Sequence, residues 1–175
     1  MDAGSSPPKN VSVITMIDPA AAGVNLIAQK LTNFDVNVIT TQPARPRTIR
    51  CVFGGGWDGG DIEVTGIDVG GDPAIDVIAA ALGTVEGVIP FAVVTRIRNL
   101  EVAMIGGTVD VQTGLGLGLP CKRGSMEALI RTSVDNAYQA NGTVDLANST
   151  VKPTTVPNAG HDYEFWVAQR INVGD

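Results

Sequence analysis

From Asn33 onward, apolar and polar residues alternate with a period of two, the repeat of a strand that presents one face to a core and the other to water. The first such run spans 35–38. The second, 47–53, puts Ile49, Cys51 and Phe53 on one side and Thr48 and Arg50 on the other. A third, 61–66, turns Ile62 and Val64 inward, and a short one follows at 74–80. The longest, 88–100, aligns Ile89, Phe91, Val93 and Ile97 in one register and Arg96 with Arg98 in the opposite one. Alternation resumes at 108–112, and Leu115, Leu117 and Leu119 then recur between Gly114, Gly116 and Gly118. Runs at 126–132, 142–146, 150–152 and 162–171 complete the series. In the last, Tyr163, Phe165 and Val167 oppose Glu164 and Trp166.

Turn residues separate these runs every ten to fifteen positions. Gly54–Gly60 supplies residues that tolerate positive φ, so 47–53 and 61–66 are expected to form a hairpin. Gly70 and Gly71, with Asp72 and Pro73, mark a second turn. Pro43 and Pro46 break the ladder before 47, because proline donates no backbone hydrogen bond. No long helical crossover lies between the runs, which disfavours a parallel sheet. The pattern predicts an all-β antiparallel sandwich or jelly-roll-like domain over 35–175. Ahead of it, 1–34 reads as a polar arm and an apolar lead-in. Within that lead-in, 18–33 admits one short helix, capped by Asp18 with Pro19 at its first position, or an apolar ordered loop.

Composition narrows the function classes. The 175 residues fit one compact domain. Glycine (21) and proline (10) together make about 18% of the chain, short of the roughly 25–30% of low-complexity sequences. With 44% hydrophobic residues and a mean hydropathy of +0.18, a core is affordable in conformational-entropy terms. A net charge of −6 opposes attraction to nucleic acid or anionic lipid. No secretory signal is expected at 1–10. The most apolar stretch, 75–94, carries Asp76, Glu86 and Pro90, so no membrane span is expected. One histidine and two cysteines are too few for a disulfide framework or a histidine–thiolate zinc site. Cys51 and Cys121 are read as free and buried.

Chemistry has few footholds. Gly114–Gly118 is superficially like a dinucleotide loop, but its third glycine comes too early and Leu119–Pro120 closes it where a helix should begin. His161 lies among carboxylates, and the serines show no nucleophile-elbow spacing. Asp58, Asp61, Asp72 and Asp76 match no cation loop and suit turns. No catalytic, metal or cofactor site is therefore assigned. Arg96 with Arg98, and Lys122 with Arg123, are the local concentrations of positive charge, suited to a subunit interface or to a solvated face. Burial is expected more of Trp166, in its strand, than of Trp57, in its loop.

The order of several segments resembles small structural proteins of tailed bacteriophages. These segments are 47–50, then 60–68, then a second glycine-rich turn, then 87–91 leading to Val93-Val94-Thr95-Arg96-Ile97, then Gly114 to Pro120. The resemblance spans about 35–120, with looser agreement at 143–145, 150–154 and 162–164, and departs from the pattern at Cys121-Lys122-Arg123. It implies a head decoration or cement protein without catalytic residues or cofactor. Such a protein binds the major capsid protein on the outer surface of the virion, as a homo-oligomer, with a trimer favoured, after assembly in the host cytoplasm. The candidate partner contacts, read from the positive charge and the loop tryptophan and not from the resemblance, are Arg96, Arg98, Lys122, Arg123 and Trp57. The rival readings are a neck or tail adaptor and a glycan-binding sandwich at the host surface.

Overall fold

A computed structural model of the protein describes residues 9–16, 21–27, 35–36, 38–101, 106–158 and 160–170. Every strand pairing in it is antiparallel, and no helix occurs among the described residues. The strands are β1 (Lys9–Met16), β2 (Asp35–Val36), β3 (Arg47–Phe53), β4 (Ile62–Asp68), β5 (Pro73–Ile78), β6 (Gly83–Glu86) and β7 (Phe91–Asn99). They continue with β8 (Val109–Gly118), β9 (Met126–Val134), β10 (Ala137–Gln139), β11 (Thr143–Asp145), β12 (Thr150–Lys152) and β13 (Tyr163–Arg170).

Two sheets result. One runs β1-β13-β9-β10; the other runs β11-β12-β8-β3-β7-β4-β5, with β2 added to β7 and β6 to β3. The larger sheet curls because β3 and β7 meet only at Arg47 and Phe91, after which β6 takes the same edge of β3 from Arg50 to Phe53. Beyond that point the β8–β3 layer and the β5–β4–β7 layer face each other. Ile49, Cys51, Phe53, Val109 and Val111 from the first layer close on Ile62, Val64, Ile78, Phe91 and Ile97 from the second. A second core lies under the four-stranded sheet, where Leu117, Leu119 and Val151 meet Tyr163, Phe165, Val167 and Met126. Strand β8 serves both cores, and the arrangement is a β-sandwich.

Several expectations are corrected. β3 and β4 are not a hairpin: each pairs with other strands, and Gly54–Gly60 carries the chain from one layer to the other. Gly54 donates to the Thr108 carbonyl and Gly60 to the Asn99 side chain, anchoring opposite ends of that crossing. Val93 points outward, not inward, because β7 bulges on both sides of it, against the Thr65/Gly66 and Ile67/Asp68 steps of β4; Val94 fills the core instead. Where 18–33 is described, at 21–27, the chain is extended along β8: Gly23 donates to Thr113, Thr113 to Val24, and Leu26 to Val111. Gly23 sits at φ +89°, outside helical space, and Leu26 is fully buried. The rest of that range lies outside the described residues, as does most of the polar arm. Strand β1, at the junction of arm and lead-in, was not expected; neither were β6 and β10. The two cysteines are free and buried.

Candidate interaction surfaces

On the β5–β4–β7 layer, register alone lines up the outward side chains. Val77, Glu63 and Arg98 form one cross-strand row, and Ile75, Thr65 and Arg96 the next. Arg98 pairs with Glu63 across the strands: Nη2 donates to Oε2 at 3.1 Å, and Nε lies 2.7 Å from Oε1 as an ion-pair contact. Arg96 is exposed beside it. Ile75 and Val77 remain 58% and 50% exposed, and Val93 is exposed on the same layer. The result is an aliphatic strip beside a paired guanidinium.

The other basic pair lies at the far end of β4. Arg123 Nε is 2.8 Å from Asp68 Oδ2, and the same buried carboxylate accepts the Gly70 and Asp72 amides, so Arg123 braces the β4–β5 turn. The Lys122 side chain is exposed while its carbonyl accepts Ser125 and Ser149. Trp57 sits near the start of β4. It is half-buried, tilted on Phe53 at 5.9 Å, and donates to the Gly60 carbonyl. Beside it is a hollow of about 470 Å³ lined by Phe53, Trp57, Leu82, two alanines and three glycines. The five residues singled out from the sequence are thus strung along β4, with Arg98 and Arg123 neutralised inside the molecule and not held for a neighbour.

The open face of the four-stranded sheet carries a group the alternation did not single out. The Arg131 guanidinium lies over the Tyr138 ring at 5.8 Å and over the Trp166 ring at 5.7 Å. Trp166 Nε1 donates to Glu164 at 2.6 Å, and Ser133 donates to the same carboxylate. Tyr138 is 68% exposed, and Trp166 is half-buried, as Trp57 is, where more burial was expected of it. Tyr138 escaped notice because β10 is three residues long, too short to show a period.

Between the two cores sits a polar node. β8 bulges against β3, with Leu117 opposite Arg47 but Thr113 opposite Ile49, which takes the amides of the intervening residues out of the ladder. Glu86 Oε1 accepts the Leu115 and Gly116 amides, each at 2.9 Å, and the Thr48 hydroxyl; its Oε2 meets Lys152 Nζ at 3.1 Å. Burial works to raise the Glu86 carboxyl, but the hydrogen bonds from Thr48 and Gly116 and the Lys152 charge outweigh it and hold the group below its ordinary value. Arg47 is 1% exposed and donates to the Ala21 carbonyl; burial lowers it to about 10. A cleft of about 150 Å³ opens beside this node between Val88, Thr143, Asp145 and Lys152.

The residues weighed for chemistry have structural partners. His161 Nδ1 is 2.7 Å from Asp135 Oδ2, while Asp135 Oδ1 accepts the Asp162 amide. That amide first, and His161 second, hold the Asp135 carboxyl below its usual range. Burial pushes the Cys51 thiol up, away from the thiolate a nucleophile needs. Asp76 accepts Val88 and Ile89, Asp61 accepts Ala80, and Asp58 accepts Gly106. Among the described residues, no group of three or more His, Cys, Asp or Glu side chains is placed to hold a metal ion. No family model, no curated protein and no solved structure matches the chain.

Proposed function

We propose that this protein is a structural component of a tailed-bacteriophage virion, a decoration or cement protein that binds the outer surface of the head and stabilises it. The observation that carries the reading is the outward face of β5–β4–β7. There Ile75, Val77 and Val93 lie exposed around an Arg98–Glu63 pair, on a body whose other charged clusters serve its own turns and bulges. The ordered motifs at 47–120 supply the virion class. In this reading the major capsid protein is the partner, and many copies, as oligomers, clamp adjacent shell subunits, so that modest contacts add through effective concentration. The test is co-sedimentation of the purified chain with emptied heads. Wild type is expected in the pellet, and Ile75→Asp/Val77→Asp, folded by circular dichroism, in the supernatant; wild type in the supernatant would overturn the reading.

A second reading has one observation in its favour. The Trp166–Arg131–Tyr138 group offers aromatic surface and paired polar groups on an open sheet face, chemistry suited to stacking against a pyranose ring. Saturable binding of a host-surface polysaccharide, abolished by Tyr138→Ala, would favour a glycan-binding module over a capsid cement.

A further inference from the structure

Sheet edges attract other strands, and several edges among the described residues are defended. β10 and β11 are three residues long. β5 begins with Pro73 and turns the charged Asp76 inward, two devices that discourage a further strand. β1 has none of these. It runs eight residues against β13 from Lys9–Arg170 to Met16–Tyr163 without a register shift, and residues 10–16 contain neither charge nor proline. Among the described residues no strand pairs with its second edge. Its outward side chains Val11 and Val13 are 55% and 49% exposed, and Ile14, facing the second core, is only partly buried at the sheet margin.

We propose that β1 is an oligomer interface, pairing antiparallel with β1 of a second copy of this chain. The free backbone groups of an edge specify the occupant as an extended strand. The sequence of β1 specifies which strand. About a twofold axis at Ser12, Val11 lies across from Val13 of the second copy on the outer face, an apolar pair at both symmetric positions. Charge favours the same arrangement. The one charged residue of β1, Lys9, falls at opposite ends of an antiparallel pair, whereas a parallel pair would set two lysines side by side. The two four-stranded sheets then join into one of eight strands, with both Trp166–Arg131–Tyr138 groups on the same side. This assembly is twofold, in contrast to the threefold one the phage resemblance implies, and it does not depend on head binding.

The experiment is light scattering on the full chain during size exclusion, over a series of loading concentrations. Wild type is expected to approach twice 18.1 kDa as concentration rises. Val11→Lys/Val13→Lys should remain at 18.1 kDa with an unchanged far-ultraviolet spectrum, as should Val11→Glu/Val13→Glu, and mixing the two variants should restore the doubled mass. If the double variants fail to fold, single Val13→Lys, altered only on the exposed face, gives the same reading. A wild-type mass of one or three chains at every concentration, or charge variants that keep the wild-type mass, would overturn the proposal. A dimer that leaves heads unbound would keep the β1 pair and overturn the virion reading; a monomer that pellets with heads would do the reverse.

Discussion

Glu86 shows how much one side chain holds at the meeting of the two cores. Its carboxylate accepts the Leu115 and Gly116 amides, which the β8 bulge removes from the ladder; the Gly116 amide also has the Thr48 hydroxyl at 3.0 Å, so the Leu115 amide is the one that loses its acceptor with Glu86, at a cost of about 1–3 kcal/mol. Glu86→Ala should therefore lower the unfolding free energy by about 1–3 kcal/mol in urea titrations, with most of the loss from the Leu115 amide. The Lys152 ion pair is two-fifths exposed on the lysine side and contributes at most about 1 kcal/mol. The pH dependence follows from the same contacts. A carboxyl held below its ordinary 4.5 stabilises the fold fully above that value and loses the contribution as pH falls through the lower folded value. Wild-type melting temperature should fall as pH drops below about 4.5, and Glu86→Gln should flatten that part of the curve. None of this was legible in the sequence, where Glu86 stands in an apolar stretch with no partner in view. Its donors lie some thirty to seventy residues away in the chain.

At the scale of elements, the two-residue period located most strands because residues facing one core must alternate. The runs at 47–53, 150–152 and 162–171 match β3, β12 and β13 to within a residue, and the inward set Tyr163, Phe165 and Val167 is the observed one. The period fails where a bulge resets it. Val93 shares parity with Phe91 and Ile97, yet points to solvent, because an extra residue on each side of the 93–94 step reverses the phase twice. The contrast is measurable: Val94→Ala should cost about 2 kcal/mol as a core truncation, while Val93→Thr should stay within about 0.5 kcal/mol of wild type. The reverse ranking in equilibrium unfolding would remove the bulges. Pairing partners were less legible than strands. A seven-residue glycine-rich connection suits a hairpin and a crossing between layers alike, and only the tertiary anchors of Gly54 and Gly60 decide between them. Of the candidate contacts, Arg96 and Arg98 were placed correctly on the polar side of β7, but the carboxylates that occupy Arg98 and Arg123 come from β4, which no local pattern connects to either.

For the whole molecule, two cores share one strand. β8 gives Val109 and Val111 to the first and Leu117 to the second, so neither core can open without disturbing the ladder of the other. Unfolding should be a single cooperative transition, with calorimetric and van't Hoff enthalpies that agree; two resolved transitions would show that the cores are independent. In the function proposed above, the β5–β4–β7 face would adhere to a shell and, in the further proposal, the β1 edge to a second copy. Copy number in purified particles tests that account most directly. Quantitative mass spectrometry should find the chain in proportion to the shell subunits, on the order of hundreds per head, as expected when each copy clamps neighbouring capsomers. Its absence from the particle, or a ring-like count of about six or twelve as at a neck, would contradict it.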